Sequence, residues 1–208
     1  MKPAAVILAG GRSSRMGGGD KCLLPLGDRP LIAHILDAVT PQTGDILINT
    51  NSDPAPFLIY GQPVLPDAIT GFQGPLAGIL TGMLWSRKRH PRQVHLLTVA
   101  SDVPFLPPDL VARLAQARQE QRADIAIASS PEGTHPTIGL WPVDLAERLE
   151  HDLMEGTIRS VHQWIGAFRV ASAEFDSVAL SNINTPDDLA ACRRYRPQDR
   201  LALLGGPI

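Results

Sequence analysis

The stretch Leu8-Ala9-Gly10-Gly11-Arg12-Ser13-Ser14-Arg15-Met16-Gly17-Gly18-Gly19-Asp20-Lys21 decides how the chain is read. It follows a short apolar run, Ala4-Ala5-Val6-Ile7-Leu8, that predicts a buried parallel strand. The glycines therefore lie where a strand leaves a sheet and the backbone can approach a ligand. Arg12, Arg15 and Lys21 surround the exposed N–H groups with positive charge, and the guest that suits such a loop is a polyphosphate.

Two familiar phosphate loops are excluded by residue identity. A Walker loop needs Gly-Lys followed by Ser or Thr, whereas Lys21 stands between Asp20 and Cys22. The dinucleotide fingerprint Gly-x-Gly-x-x-Gly fails because Cys22 occupies the place of the third glycine after Gly17 and Gly19. The remaining pattern, Leu-x-x-Gly followed by Arg-Met-Gly and a Lys, resembles the nucleotidyltransferases that move a nucleoside monophosphate from a triphosphate onto a phosphorylated acceptor.

Beyond this loop strands and helices alternate. Leu31, Ile32, Ile35, Leu36 and Val39 recur at helical spacing, and residues 45–50 form a compact apolar strand. Residues 61–65 predict a short strand, and Leu76, Ile79, Leu80, Met83 and Leu84 mark one side of a helix. Residues 94–100 form a second strongly apolar strand, followed by a helix begun by Pro107-Pro108-Asp109. Such alternation predicts an α/β fold: a three-layer, Rossmann-like domain with a mostly parallel sheet.

The second half is less regular. Strands are expected at 125–128, 138–141, 168–170 and 178–183, with helices around Leu145, Leu149 and Leu153 and over 161–165. A last helix is announced by Thr185 as N-cap, Pro186 in the first position and Asp187 and Asp188 in the first turn. The expectation is a single nucleotidyltransferase domain over residues 1–195 with a loosely ordered tail over 196–208.

Composition agrees with these readings. The 208 residues carry 19 Lys and Arg against 21 Asp and Glu, a net charge of −2 that argues against a general nucleic-acid binder. Strand residues begin almost at once, with only Lys2 ahead of them, and no apolar run suits a bilayer, so neither a secretory leader nor membrane association is expected. Cys22 and Cys192 lack metal-ligand spacing and read as free thiols of a cytoplasmic protein. The basic run Arg87-Lys88-Arg89-His90-Pro91-Arg92 reads as a solvated helix end.

In open α/β sheets ligands bind beyond the carboxyl ends of strands, so polar residues ending strands are the candidates. The first strand gives Leu8, Ala9, Gly10 and Gly11; the second gives Asn49-Thr50-Asn51; the strand 94–100 gives Asp102. If these strands are neighbours, the three groups line one crevice. A triphosphate arrives with Mg2+, which takes one or two carboxylates with phosphate oxygens and waters, and Asp102 suits that ligand role. Arg15 and Lys21 suit the stabilisation of charge on the transferring and leaving phosphates, with Asp20 a partner for either cation. The Asn49 amide and the Asp67 carboxylate suit a base or ribose edge, the latter able to accept from guanine N1–H and its amino group.

Gly74-Pro75-Leu76-Ala77-Gly78 sharpens the resemblance. With the glycine loop, Asp102-Val103-Pro104-Phe105-Leu106-Pro107-Pro108, His135-Pro136-Thr137 and Asn182-Ile183-Asn184-Thr185-Pro186, the chain from residue 4 to about 192 resembles the molybdenum cofactor guanylyltransferases. The resemblance implies GMP transfer from GTP to the terminal phosphate of molybdopterin, with pyrophosphate released. It implies catalytic roles for Arg15, Lys21 and Asp102, and GTP binding by Leu8, Ala9, Gly10, Gly11, Lys21, Asn49, Asp67 and Asp102. It places His135, Asn182 and Asn184 toward the molybdopterin acceptor, and it extends to molybdoenzyme-maturation proteins as partners. The alternatives are a cytidylyltransferase or sugar-phosphate nucleotidyltransferase that keeps the loop, Lys21 and Asp102 but changes the base pocket, and a non-catalytic GTP-binding adaptor that delivers cofactor.

Overall fold

The computed structural model describes residues 1–10, 20–71, 74–185 and 187–188. Gly11, Arg12, Arg15, Cys192 and the expected tail over 196–208 therefore lie outside the described residues.

The chain begins with β1 (Ala4–Leu8), buried at every position. A two-stranded antiparallel hairpin, β2 (Pro25–Leu26) and β3 (Arg29–Pro30), leads into α1 (Leu31–Val39). β4 (Ile46–Asn49) and β5 (Val64–Leu65) follow, separated by a 3-10 segment. Then come α2 (Pro75–Arg89), β6 (His95–Ala100) and α3 (Leu110–Glu120). The second half adds β7 (Ile125–Ser130), β8 (Gly133–Pro142), α4 (Ala146–Met154), α5 (Val161–Ile165) and β9 (Val170–Glu174).

Among the described residues one seven-stranded sheet runs in the order β5-β4-β1-β6-β8-β7-β9. Only β8 opposes its neighbours; the other pairings are parallel. Such a sheet must be covered on both faces. Alternate residues of β1 enter opposite layers: Ala5 and Ile7 pack with α1 and α3, while Ala4, Val6 and Leu8 pack with α2, α4 and α5. This is the expected three-layer α/β architecture.

α2 departs from a one-sided amphipathic helix. Besides Leu76, Ile79, Leu80 and Met83 it buries Ala77, Gly78, Thr81, Gly82 and Ser86. A Cβ on Gly82 would fall 2.7 Å from Val6 Cγ1 and 2.8 Å from Leu96 Cδ2, so the glycine lets the helix sit directly on β1 and β6.

Two sequence expectations are corrected. The strand expected at 168–170 is β9, which begins at Val170; Phe168 instead packs on Trp164, 4.9 Å between ring centroids, beneath the Arg148 guanidinium. Residues 178–183 form no strand. The backbone turns there, with Val178 N–H donating to the Asp176 carboxylate at 2.8 Å. Leu180 and Ile183, whose hydrophobicity suggested a strand, are single buried plugs.

At the other boundary, Thr185 Oγ1 accepts from Asp188 N–H at 3.1 Å while Asp188 Oδ2 accepts from the backbone N–H groups of Asn184 and Thr185, both at 2.8 Å. That reciprocal cap fits the helix start read from the sequence. Among the described residues no helix is long and apolar enough to cross a membrane.

Candidate active site

The sheet order makes neighbours of the three strands that carry the candidate residues. β1 lies between β4 and β6, with Leu8 in register with both Asn49 and Ala100. The strand ends are stitched together: Ala9 N–H donates to Asn49 O at 2.8 Å and Ser101 N–H to Leu8 O at 3.3 Å. Gly10, Asn49 and Asp102 therefore share one edge of the sheet, at the carboxyl ends of parallel strands. Leu8 and Ala9 are buried, and Gly10 is exposed, with no atom of the other described residues beyond its chain neighbours within 4 Å of where a side chain would begin.

Asp102 stands in the turn after β6, where its backbone carbonyl accepts from Ile183 N–H at 2.9 Å. Its Oδ2 receives Lys21 Nζ at 2.9 Å, and the same ammonium donates to Asn184 Oδ1 at 2.6 Å. Both charged side chains keep contact with solvent, 15% exposed for Lys21 and 26% for Asp102. The pair is therefore accessible to a ligand, and phosphate oxygens can replace the carboxylate as partners of Lys21.

Asp20 does not pair with Lys21; its Oδ1 accepts from Ser52 Oγ at 2.6 Å, which ties the end of the glycine loop to the loop after β4. Ser52 carried no signal in the sequence. Arg15 and Gly11 fall outside the described residues.

On the other side of β1, a network of amides surrounds Asp67. Asn49 Nδ2 donates to Asp67 Oδ1 at 3.0 Å and Asn51 Nδ2 to Asp67 Oδ2 at 2.7 Å, while Asp67 N–H donates to Asn51 Oδ1 at 2.9 Å. A carboxylate has lone pairs left after two such bonds. Asn49 is itself pressed from behind by α2. A Cβ on Gly78 would lie 2.3 Å from Asn49 Oδ1 and 2.7 Å from Leu8 Cδ2, which explains the glycine that closes Gly74-Pro75-Leu76-Ala77-Gly78.

His135 sits on β8 with its ring nitrogen Nε2 3.1 Å from Ser130 Oγ. Burial pushes its imidazole below the ordinary value, against the opposing charges of Glu132 and Asp102. Asn184 joins the Lys21 cluster; Asn182 is exposed and makes no side-chain hydrogen bond with another described residue. The basic run at residues 87–92 belongs to the opposite pole, because α2 carries it 15 residues, about 22 Å, from the helix start beside the crevice. There Arg87 reaches Glu147, while Arg89 and His90 reach Asp45. Cys22 is a buried free thiol, its pKa pushed up to about 12 chiefly by burial, and is chemically quiet.

Among the described residues no group of three or more His, Cys, Asp or Glu could hold a metal. A dedicated protein cage is thereby excluded from those residues. The donors at the crevice are hard oxygens, the Asp102 carboxylate and the Asn184 amide, which fit an ion that takes its other ligands from phosphate and water.

A lysine–aspartate pair at the strand ends of an α/β sheet, in a chain with a glycine-rich sequence just before the lysine, suits a protein that handles phosphates. Comparison with known proteins makes the assignment specific. Residues 5–175 match the MobA-like NTP transferase domain model. A molybdenum cofactor guanylyltransferase from Bradyrhizobium sp. (strain ORS 278) is 44% identical over 192 residues, 91% of each chain. One of the same name from Rhodopseudomonas palustris (strain HaA2) is 45% identical over 90% of this chain and 89% of its own. The crystal structure of molybdopterin-guanine dinucleotide biosynthesis protein A from Archaeoglobus fulgidus superposes with a TM-score of 0.71 at 20% identity, covering 92% of this chain and 97% of that one. The chain belongs to the MobA-like NTP transferase family.

Proposed function

We propose that this chain transfers GMP from GTP to the terminal phosphate of molybdopterin, forming the guanine dinucleotide cofactor and releasing pyrophosphate. The observation that carries the reading is the Lys21–Asp102–Asn184 cluster at the carboxyl ends of β1 and β6, in a chain so similar to proteins bearing that name.

The reaction is an in-line displacement at the α-phosphorus. A phosphate monoester is already largely anionic at neutral pH, so the attacking oxygen needs no strong base and positioning supplies most of the rate. In this scheme the glycine loop lays backbone N–H groups against the triphosphate, and Lys21 exchanges Asp102 for phosphate oxygens. Arg15 adds a forked donor to the same charge. Asn49 and Asp67 address the guanosine end. Asp102 would hold Mg2+, which would supply charge neutralisation at the phosphates. His135, Asn182 and Asn184 face the acceptor side in this reading. Action in the cytoplasm and partnership with molybdoenzyme-maturation proteins complete it.

The test is pyrophosphate release by purified protein with molybdopterin and Mg2+, comparing GTP with CTP, ATP and UTP, and repeated with Asp102→Ala. Acceptor-dependent release confined to GTP and lost in the variant is the expected result. Preference for CTP would overturn the base assignment; GTP binding without turnover would identify a delivery adaptor.

A further inference from the structure

The β7–β8 hairpin holds a chain of polar groups in which one ionised residue fixes every proton. Glu132, in the turn, accepts from Ser130 Oγ at 2.8 Å and from Ser177 Oγ at 2.5 Å, both on Oε2. These two hydroxyl donors hold its carboxyl below the usual carboxylate range, so it is ionised and can only accept. The single hydroxyl proton of Ser130 is thereby committed to Glu132. Ser130 Oγ then offers only lone pairs to His135 Nε2, 3.1 Å away, and that nitrogen must carry the ring proton. The ring is neutral at pH 7, because burial lowers its affinity for a second proton. Its other nitrogen, Nδ1, is therefore a bare acceptor, and among the described residues nothing donates to it.

Strand register brings His135 to the crevice end of the sheet, because β8 runs antiparallel to β6 with Gly139 opposite Thr98 and residues before it reaching beyond, toward the Asp102 end. Successive β7 residues Ile127 and Ala128 pair with Gly139 and His135, so Pro136, Thr137 and Ile138 bulge out of the ladder. Thr98 Oγ1 donates to Thr137 O at 2.9 Å and pins the bulge against β6, the strand that leads to Asp102. A bulge beside a site re-aims side chains. The nucleotide candidates Asn49 and Asp67 lie on the β4 side of β1, whereas His135 lies on the β8 side of β6.

We infer that Glu132, acting through Ser130, is a positioning residue that locks His135 in its Nε2–H form, so that Nδ1 accepts a hydrogen bond from an N–H group of the pterin on the acceptor substrate. The identity of that substrate rests on the function proposed above; the proton arrangement does not.

The experiment has two arms. Long-range 1H–15N spectra of protein labelled at histidine nitrogen read the His135 tautomer without turnover. The wild type is expected to show Nε2–H alone, and Glu132→Ala a mixture of both forms. Steady-state kinetics then compares His135→Gln, whose amide keeps an atom near Nε2, with His135→Asn, whose amide keeps one near Nδ1. Loss of one hydrogen bond predicts a KM for molybdopterin about tenfold higher in His135→Gln and Glu132→Ala, a smaller rise in His135→Asn, and an unchanged KM for GTP. An Nδ1–H form in the wild type overturns the lock whatever the activity. A pure Nε2–H form in Glu132→Ala, or equal kinetics for the two His135 variants, also overturns it. The stated tautomers in a protein that fails to transfer GMP would overturn the substrate and leave the lock standing.

Discussion

Gly78 of α2 touches the side chain of Asn49 at the end of β4 so closely that a Cβ on the glycine would fall 2.3 Å from the amide oxygen. The contact couples helix packing to the orientation of a donor that holds Asp67. Gly78→Ala must therefore turn Asn49 or lift α2. Overpacking of this kind costs about 1–3 kcal/mol. The expected result is a raised KM for GTP with a smaller change in the KM for acceptor, read by steady-state kinetics beside a thermal melt.

Lys21 and Asp102 act on the same phosphates in the proposed reaction, so their losses should not add. Removing one preorganised charge from such a site typically slows turnover about 10²–10³-fold. Lys21→Ala and Asp102→Asn should each fall in or below that range, and the double variant should lie well short of the product of the two effects. Multiplicative losses in single-turnover pyrophosphate release would show that the residues act independently.

Asp67→Ala removes the acceptor shared by Asn49 and Asn51 and leaves both amides to reorient. The proposed role in reading the base predicts that discrimination between GTP and ATP falls at least tenfold in kcat/KM. Competition of the two nucleotides in one assay measures the ratio directly.

His95, at the start of β6, is half-buried, and burial together with the Arg118 charge pushes its imidazole below the ordinary value despite Asp144 nearby. Because the folded value is depressed, the unfolded chain binds a proton that the native state refuses. Stability is therefore present above the unfolded value of about 6.5 and is lost as pH falls through the folded one. Melting temperatures measured from pH 7.5 to 5 should fall less steeply in His95→Gln than in the wild type.

Gly139→Ala would bring a Cβ 2.8 Å from Ala126 O and 3.1 Å from Trp141 Nε1, where the indole donates to Thr98 Oγ1 at 2.8 Å. Backbone and a bonded ring yield little, so a loss of about 1–3 kcal/mol is expected. That corresponds to a Tm lower by roughly 2–12 °C for a chain of this size.

Legibility followed burial. β1, β4 and β6 are central parallel strands covered on both faces, and such strands announce themselves as unbroken apolar runs. The polar residues at their ends were readable for the same reason, and adjacency of the strands brought Gly10, Asn49 and Asp102 to one edge. β9 is a border strand that buries alternate residues, so Val170–Glu174 carries a weak signal, and the apolar residues at 178–183 gave a false one because Leu180 and Ile183 are buried without a ladder. The attachments of Lys21 to Asn184 and of Asp20 to Ser52 span 163 and 32 positions, and no local pattern encodes them. Ser130 and Glu132 were silent because their meaning lies in proton direction, which depends on Ser177 and His135 together.

The cluster at Lys21 draws on residues 81 and 163 positions further along the chain. During synthesis, β1 and β6 can pair and present Lys21 and Asp102 well before Asn184 has emerged from the ribosome. A nascent chain halted between α5 and Asn184 should thus possess its sheet yet lack the group that completes the lysine's cage. Completion of the lysine's surroundings thus waits on Asn184, which the capped turn at Asn184–Thr185–Asp188 holds in place.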